Sequence, residues 1–235
     1  METAEPPAAE VTVPFERVGA LVRQLTHDVR NGLNGMELQA AFIAELLNDP
    51  LDEADARLAL KRLRTLIAEH GKMLQRRSAR FQVERPNFVT YPAKHFVEDF
   101  RARLAKTLPD FAPQVAWTED LAGEAIAVDV EMIFAALGEF VQNAAHFQER
   151  GEPVSAHAKA VAGRFHIELR ERHAVLASAP ATWGREPLVS TRSGGYGLGI
   201  FYARRLLAAH GGGVEFIHDP VSGRLITRVF LPLAR

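Results

Sequence analysis

The chain has 235 residues, of which 47% are apolar and 24% charged, with a formal net charge of −1 and no cysteine. That length holds one large or two small cored domains, and the near-neutral charge excludes a global electrostatic pull toward nucleic acid or an anionic membrane. Without cysteine there are no disulfides, no thiolate catalysis and no cysteine-ligated zinc.

In chain order, Met1 to about Pro14 is rich in Pro, Ala and Glu and reads as a mobile tail (1–14). It lacks the basic start and apolar stretch of a signal peptide, and no apolar run reaches the length of a bilayer span. A cytoplasmic location is therefore expected. Val18, Val22, Leu25, Val29, Leu33, Met36, Ala40, Ile43 and Leu47 recur three or four apart and predict one face of a long helix. Asn48-Asp49-Pro50 ends it. A second stripe follows, Ala56, Leu60, Leu63, Ile67, His70, Leu74 and Phe81, with Asp52 or a neighbour as cap. Two long helices joined by a tight turn make an antiparallel hairpin (15–84). A second copy is the natural cover for the rest of its stripe, giving a four-helix bundle homodimer. The arginine-rich stretch from Arg57 to Arg80 reads as the solvated outer face of the second helix.

The texture then becomes mixed (85–235). A helix is predicted from Phe96 to Leu104, short strands at Val115–Trp117 and Ala125–Val128, and a strong helix at Val130–Phe147. Val154–Val161 and Phe165–Leu169 alternate as a hairpin turning at Ala162-Gly163. After an irregular segment, Ile200–His210 reads as a helix closed by Gly211-Gly212-Gly213. Strands Val214–His218 and Leu225–Leu231 complete a sheet with helices on one face.

Three segments carry chemistry. His27 projects away from the stripe holding Leu25 and Val29, so it faces water. Asp28 is placed to accept from one imidazole nitrogen and leave the other as a nucleophile, and Asn31 lies one turn on along the same face. Glu139 and Asn143 are four apart on the long helix, and the Asn143 amide oxygen is a hard ligand suited to Mg²⁺ bridging phosphates. The run from Glu186 through Arg192, Gly195, Gly197, Leu198 and Gly199 leads straight into a helix. Its glycines let the backbone approach phosphate, the helix start offers free N–H groups, and Arg192 adds charge for a terminal phosphate. Each segment alone has a plain structural reading: a solvated helix face, an amphipathic helix, a turn.

Together and in this order, they resemble the sensor histidine kinase family over nearly the whole stretch from Phe15 to Leu233. His27-Asp28-Val29-Arg30-Asn31 resembles its phosphoacceptor motif. That resemblance implies His27 as phosphoacceptor, Asp28 as its proton partner and Asn31 at the position used to dephosphorylate a response regulator. Gly32 stands where many members have Pro. The glycine run resembles the lid and glycine box of the ATPase fold shared with gyrase, Hsp90 and MutL. The implied fold class is α+β, a helical hairpin followed by an α/β sandwich. The implied cofactors are ATP and Mg²⁺, held by Glu139, Asn143 (also the metal ligand), His146, Glu171, Arg192, Gly195, Gly197, Leu198 and Gly199. His146 stands where members often carry Lys. The implied partner is a response regulator receiver domain; no nucleic acid and no membrane span are expected.

One element departs from the family. Its Asp-x-Gly-x-Gly stretch, whose Asp accepts from the adenine amino group, aligns with Glu171, His173 and Val175. The expectation is a kinase that phosphorylates His27 from ATP. The alternatives are a histidine phosphotransferase with an altered pocket, or an adaptor that binds a regulator without phosphotransfer.

Overall fold

The computed structural model describes residues 12–47, 53–81, 85–147, 152–173, 176, 182–191, 195–219 and 221–234. Most of the expected tail, the helix stop at Asn48-Asp49-Pro50, the Asp52 cap, Val175 and Arg192 lie outside them. The chain divides into two compact units, Met1–Val83 and Glu84–Arg235.

The first unit is a hairpin of α1 (Phe15–Leu46) and α2 (Glu53–Ala79). Its packed seam is not the stripe expected from the sequence. Leu21, Leu25, Asp28, Gly32, Gln39, Ile43 and Leu46 of α1 are buried or half-buried, as are Ala56, Ala59, Leu63, Leu66, His70, Met73 and Arg77 of α2. Val18, Val22, Leu33 and Leu47 are exposed, and so are Leu60, Ile67, Leu74 and Phe81, at intervals of seven. Each helix therefore carries two adjacent apolar rows, and the hairpin covers only one. A seven-residue repeat is the spacing found along coiled-coil seams, and the longest sequence stripe mixes covered and uncovered positions. Helix α1 runs unbroken through Gly32.

In the second unit, β1 (Val89–Pro92) pairs antiparallel with β3 (Ala125–Val128) in a small sheet. The main sheet has the order β2-β4-β5-β7-β6, from β2 (Val115–Asp120), β4 (Val154–Val161), β5 (Arg164–Arg172), β6 (Gly213–Asp219) and β7 (Arg224–Pro232). Only β2 and β4 run parallel, and α4 (Val130–Phe147) lies in the crossover between them. Helices α3 (Ala93–Thr107), α4 and α5 (Gly199–Ala209) bury Phe96, Phe100, Ile133, Leu137, Phe140 and Leu206 against Phe165, Ile167, Leu169, Val229 and Leu231 of the sheet. The odd residues of β5 thus face the helices, and the even ones face the other way.

Local chemistry sets the ends. Asp129 caps α4 by accepting from the Met132 N–H at 3.1 Å. Helix α5 ends in a Schellman arrangement: Gly211 has φ 66°, its N–H donates to Ala208, and that of Gly212 donates to Leu207. Ala162 (φ 52°) and Gly163 (φ 73°) make the tight turn between β4 and β5. The expected helices and strands are all present, each within a few residues of its expected bounds, while β1 was not anticipated.

On the sheet face away from the helices, Glu168 is 1% exposed and bonded to Arg170 Nη2 at 2.8 Å and Arg228 Nε at 2.9 Å, with Lys159 Nζ at 3.0 Å. Burial by itself would raise its pKa; hydrogen bonds from Arg170, Lys159 and Arg228 outweigh burial and hold it at about 2.

Candidate functional site

Candidate residues fall into two groups, one in each unit. On α1, the His27 side chain is 66% exposed, and its Nδ1 lies 3.3 Å from Asp28 Oδ1. The Asn31 amide nitrogen is 3.4 Å from both ring nitrogens, so it does not choose between them; Asp28 does. A carboxylate is acceptor only, so its contact with Nδ1 favours the Nδ1–H tautomer and leaves Nε2 as the acceptor nitrogen, within reach of the Asn31 amide.

Asp28 is itself held. Its Oδ1 accepts from Gln24 Nε2 at 3.1 Å and its Oδ2 from Arg77 Nη2 of α2 at 3.0 Å. Arg77 is thus not part of a solvated outer face, as the arginine-rich stretch suggested. It is half-buried at the seam because its carboxylate partner is there. An open groove of about 340 Å³ beside this cluster is lined by Asp28, Asn31, Glu69, His70, Met73 and Arg77. The His70 ring lies on Gly32, so close that any Cβ there would collide with it, and its Nδ1 donates to the Leu66 carbonyl at 3.1 Å. Gly32 is therefore the steric counterpart of His70. Neither Arg77 nor His70 was singled out as a site residue from the sequence. The available signal was their spacing of seven on the seam side of α2.

In the second unit, Glu139 and Asn143 lie on the same face of α4, both half-buried. Glu139 reaches the start of α5, where its carboxylate occupies the space that a Cβ on Gly199 would need. Gly197 has φ 64°, and a Cβ there would strike the backbone of Val189; its carbonyl accepts from the Leu188 N–H at 3.0 Å. The glycines of this run thus serve two close internal packings as well as leaving backbone accessible. Leu198 is buried, and Gly195 is half-buried. His146 is exposed, its ring edge-on to Phe147 at 4.7 Å.

At the end of β5, Glu171 points to the helix-covered face and is buried, as is His173. Glu171 Oε2 lies 3.3 Å from His173 Nε2, a distance for ion pairing but without hydrogen-bond geometry, since that oxygen has no hydrogen-bond partner among the described residues. The His173 backbone is pinned on both sides, donating to the Gly223 carbonyl at 2.6 Å and accepting from His218 Nε2 at 3.1 Å. The structure brings Glu139 to Gly199 and Glu171 to His173, and His27 to Asp28 and Asn31.

No protein-family model matches the chain. Among curated proteins it is 29% identical, over a 233-residue alignment covering 92% of this chain, to sensory histidine kinase/phosphatase NtrB of Salmonella typhimurium. The chain is thus similar to a sensory histidine kinase over most of its own length. It spans 62% of the length of that relative. Solved structures give the same fold: full-length ShkA in complex with AMPPNP (TM-score 0.59, 21% identity, covering 95% of this chain and 46% of that one) and histidine kinase ThkA in complex with response regulator protein TrrA (TM-score 0.56, 14% identity, covering 93% and 62%). Their likeness supports the α+β assignment, hairpin followed by sandwich. Among the described residues, no helix is long and apolar enough to cross a membrane.

Proposed function

We propose that this chain is the phosphotransfer core of a two-component histidine kinase, in which His27 takes a phosphoryl group from ATP and passes it to an aspartate of a response regulator. The observation that carries this reading is the exposed His27 ring with its Nδ1 directed to the Asp28 carboxylate, leaving Nε2 as the nucleophilic nitrogen, with the Asn31 amide 3.4 Å away. Asn31, one turn on, is within reach to orient a water or a partner carboxylate.

The residues present fit the phosphate end of a nucleotide. Backbone N–H groups of 195–199 at the start of α5 and the half-buried Asn143 amide form a set suited to phosphate oxygens and Mg²⁺. ATP, when bound, would supply the phosphoryl group, and Mg²⁺ would offset its charge. At the base end the fit is poorer. Glu171 stands in for the aspartate that the family aims at adenine, and it faces His173 instead. This pair favours a second reading, a relay in which His27 exchanges phosphoryl groups between receiver domains without using ATP.

The uncovered rows on α1 and α2 support a homodimer through the hairpin, since Leu60, Ile67 and Leu74 recur every seven residues as exposed apolar side chains on α2. The test of function is labelling with γ-labelled ATP and Mg²⁺. Wild type is expected to acquire acid-labile label and His27→Gln none; label persisting on His27→Gln would refute the assignment. The relay reading instead expects no label from ATP, no nucleotide binding by calorimetry, and labelling of His27 only from a phosphorylated receiver domain.

A further inference from the structure

We infer that Arg77 of α2 is a positioning residue that sets the tautomer of His27 by clamping Asp28; this rests on the reading of His27 as phosphoacceptor. Of the polar groups bonded to the His27 ring, Asn31 is equidistant from both nitrogens, so only Asp28 distinguishes Nδ1 from Nε2. An aspartate next in sequence to an exposed histidine has no reason to stay there by itself. Its side chain has two rotatable bonds, and a lone contact between exposed neighbours contributes little.

Here the carboxylate is fixed from two other directions. Gln24 Nε2, one turn back on α1, donates to Oδ1 at 3.1 Å, and Arg77 Nη2, across the seam, donates to Oδ2 at 3.0 Å. Arg77 and Asp28 are each about four-fifths covered, so their charge-assisted bond is less screened than a surface pair. With Oδ2 taken by Arg77, Oδ1 is the oxygen presented to His27 Nδ1 at 3.3 Å. The clamp thus leaves the carboxylate one orientation, and that orientation selects the Nδ1–H form.

The consequence for the chemistry is direct. In the transfer step, the Nε2 lone pair forms the N–P bond while the bond from phosphorus to the leaving group breaks, its electron pair departing with that group. The proton on Nδ1 stays on the ring, and the positive charge that develops there is met by Asp28. In the opposite tautomer, Nε2 carries the proton and has no lone pair to give, so that fraction of molecules is inert at this nitrogen. Arg77 touches neither substrate nor the reacting atoms; it acts through Asp28.

The experiment is long-range ¹H–¹⁵N NMR of the histidine rings in the full chain, with His27→Gln identifying the His27 signals. Wild type is expected in the Nδ1–H form. Arg77→Met is expected to move the population toward Nε2–H, and Arg77→Lys to restore part of it. Labelling with phosphoramidate, a small donor that transfers its phosphoryl group with ammonia leaving, should slow about fivefold in Arg77→Met as the Nδ1–H fraction falls. A merely structural role predicts a lower melting temperature with the wild-type tautomer retained, and that result overturns the inference. So does a wild-type ring in the Nε2–H form. Should Arg77→Met fail to fold, Arg77→Lys against Gln24→Ala carries the same tautomer test. If wild type shows the Nδ1–H form but never takes label on His27, the phosphoacceptor reading fails while the positioning of the ring stands.

Discussion

Gly32 offers a test in which two known effects oppose each other. Replacing glycine by alanine inside an exposed helix ordinarily stabilises it, by about 1 kcal/mol. At Gly32 the new methyl would collide with Cδ2 and Nε2 of the His70 ring. The ring must turn away, which breaks its hydrogen bond to the Leu66 carbonyl at 3.1 Å, a loss of about 1 kcal/mol. Moving it also disturbs the seam, at roughly 1–2 kcal/mol for an overpacked site. The steric effect should win, so Gly32→Ala is expected to destabilise the protein by about 1–2 kcal/mol. In a His70→Ala background the obstacle is gone, and the same substitution should stabilise by about 1 kcal/mol. The coupling in the double-mutant cycle is then roughly 2–3 kcal/mol. Urea unfolding followed by helical circular dichroism, at one fixed protein concentration, measures all four proteins. Equal stabilisation by Gly32→Ala in both backgrounds would refute the packing of His70 on Gly32.

Other predictions follow from charge and from uncovered surface. Glu168 has its pKa depressed from 4.5 to about 2, so its contribution is fully present above pH ~4.5 and is lost as pH falls toward 2. The shift corresponds to roughly 3 kcal/mol, but the Lys159, Arg170 and Arg228 side chains stay 28–49% exposed. Solvent screening reduces the expected loss in Glu168→Gln to about 1.5–2 kcal/mol at pH 7; thermal melts at pH 7 and pH 3 should show the difference between wild type and variant shrinking at acid pH. Ile67→Asp, in the middle of the uncovered row on α2, should convert a dimer to monomer in sedimentation equilibrium while helix content is kept. A variant that remains dimeric would move the interface elsewhere.

How much could be read beforehand depended on whether the information was local. Helix α4 (Val130–Phe147) was legible at about its observed bounds because its strong apolar face acts within one segment, and the Asp129 cap that fixes its start came only from the structure. The β4–β5 turn was legible because Ala162-Gly163 separates two alternating runs. β1 was not, since four residues ending in Pro92 carry no periodicity, and only pairing with β3 makes them a strand. At the candidate site, spacing placed His27 and Asn31 on one helix face and Glu139 and Asn143 on another, while their roles came from the resemblance to a family's motifs.

What the amino-acid order determined by itself was therefore the elements, their sequence along the chain, and which side chains share a helix face, because backbone geometry and side-chain periodicity are properties of neighbours. Tertiary structure alone decided which of the two apolar rows on each helix forms the seam, since both rows satisfy the same periodicity. It also joined Arg77 to Asp28 across 49 residues, set His70 on Gly32, brought Glu139 to Gly199, and turned Glu171 toward His173. Those pairings depend on how elements distant in sequence approach in space, and no local pattern encodes that approach.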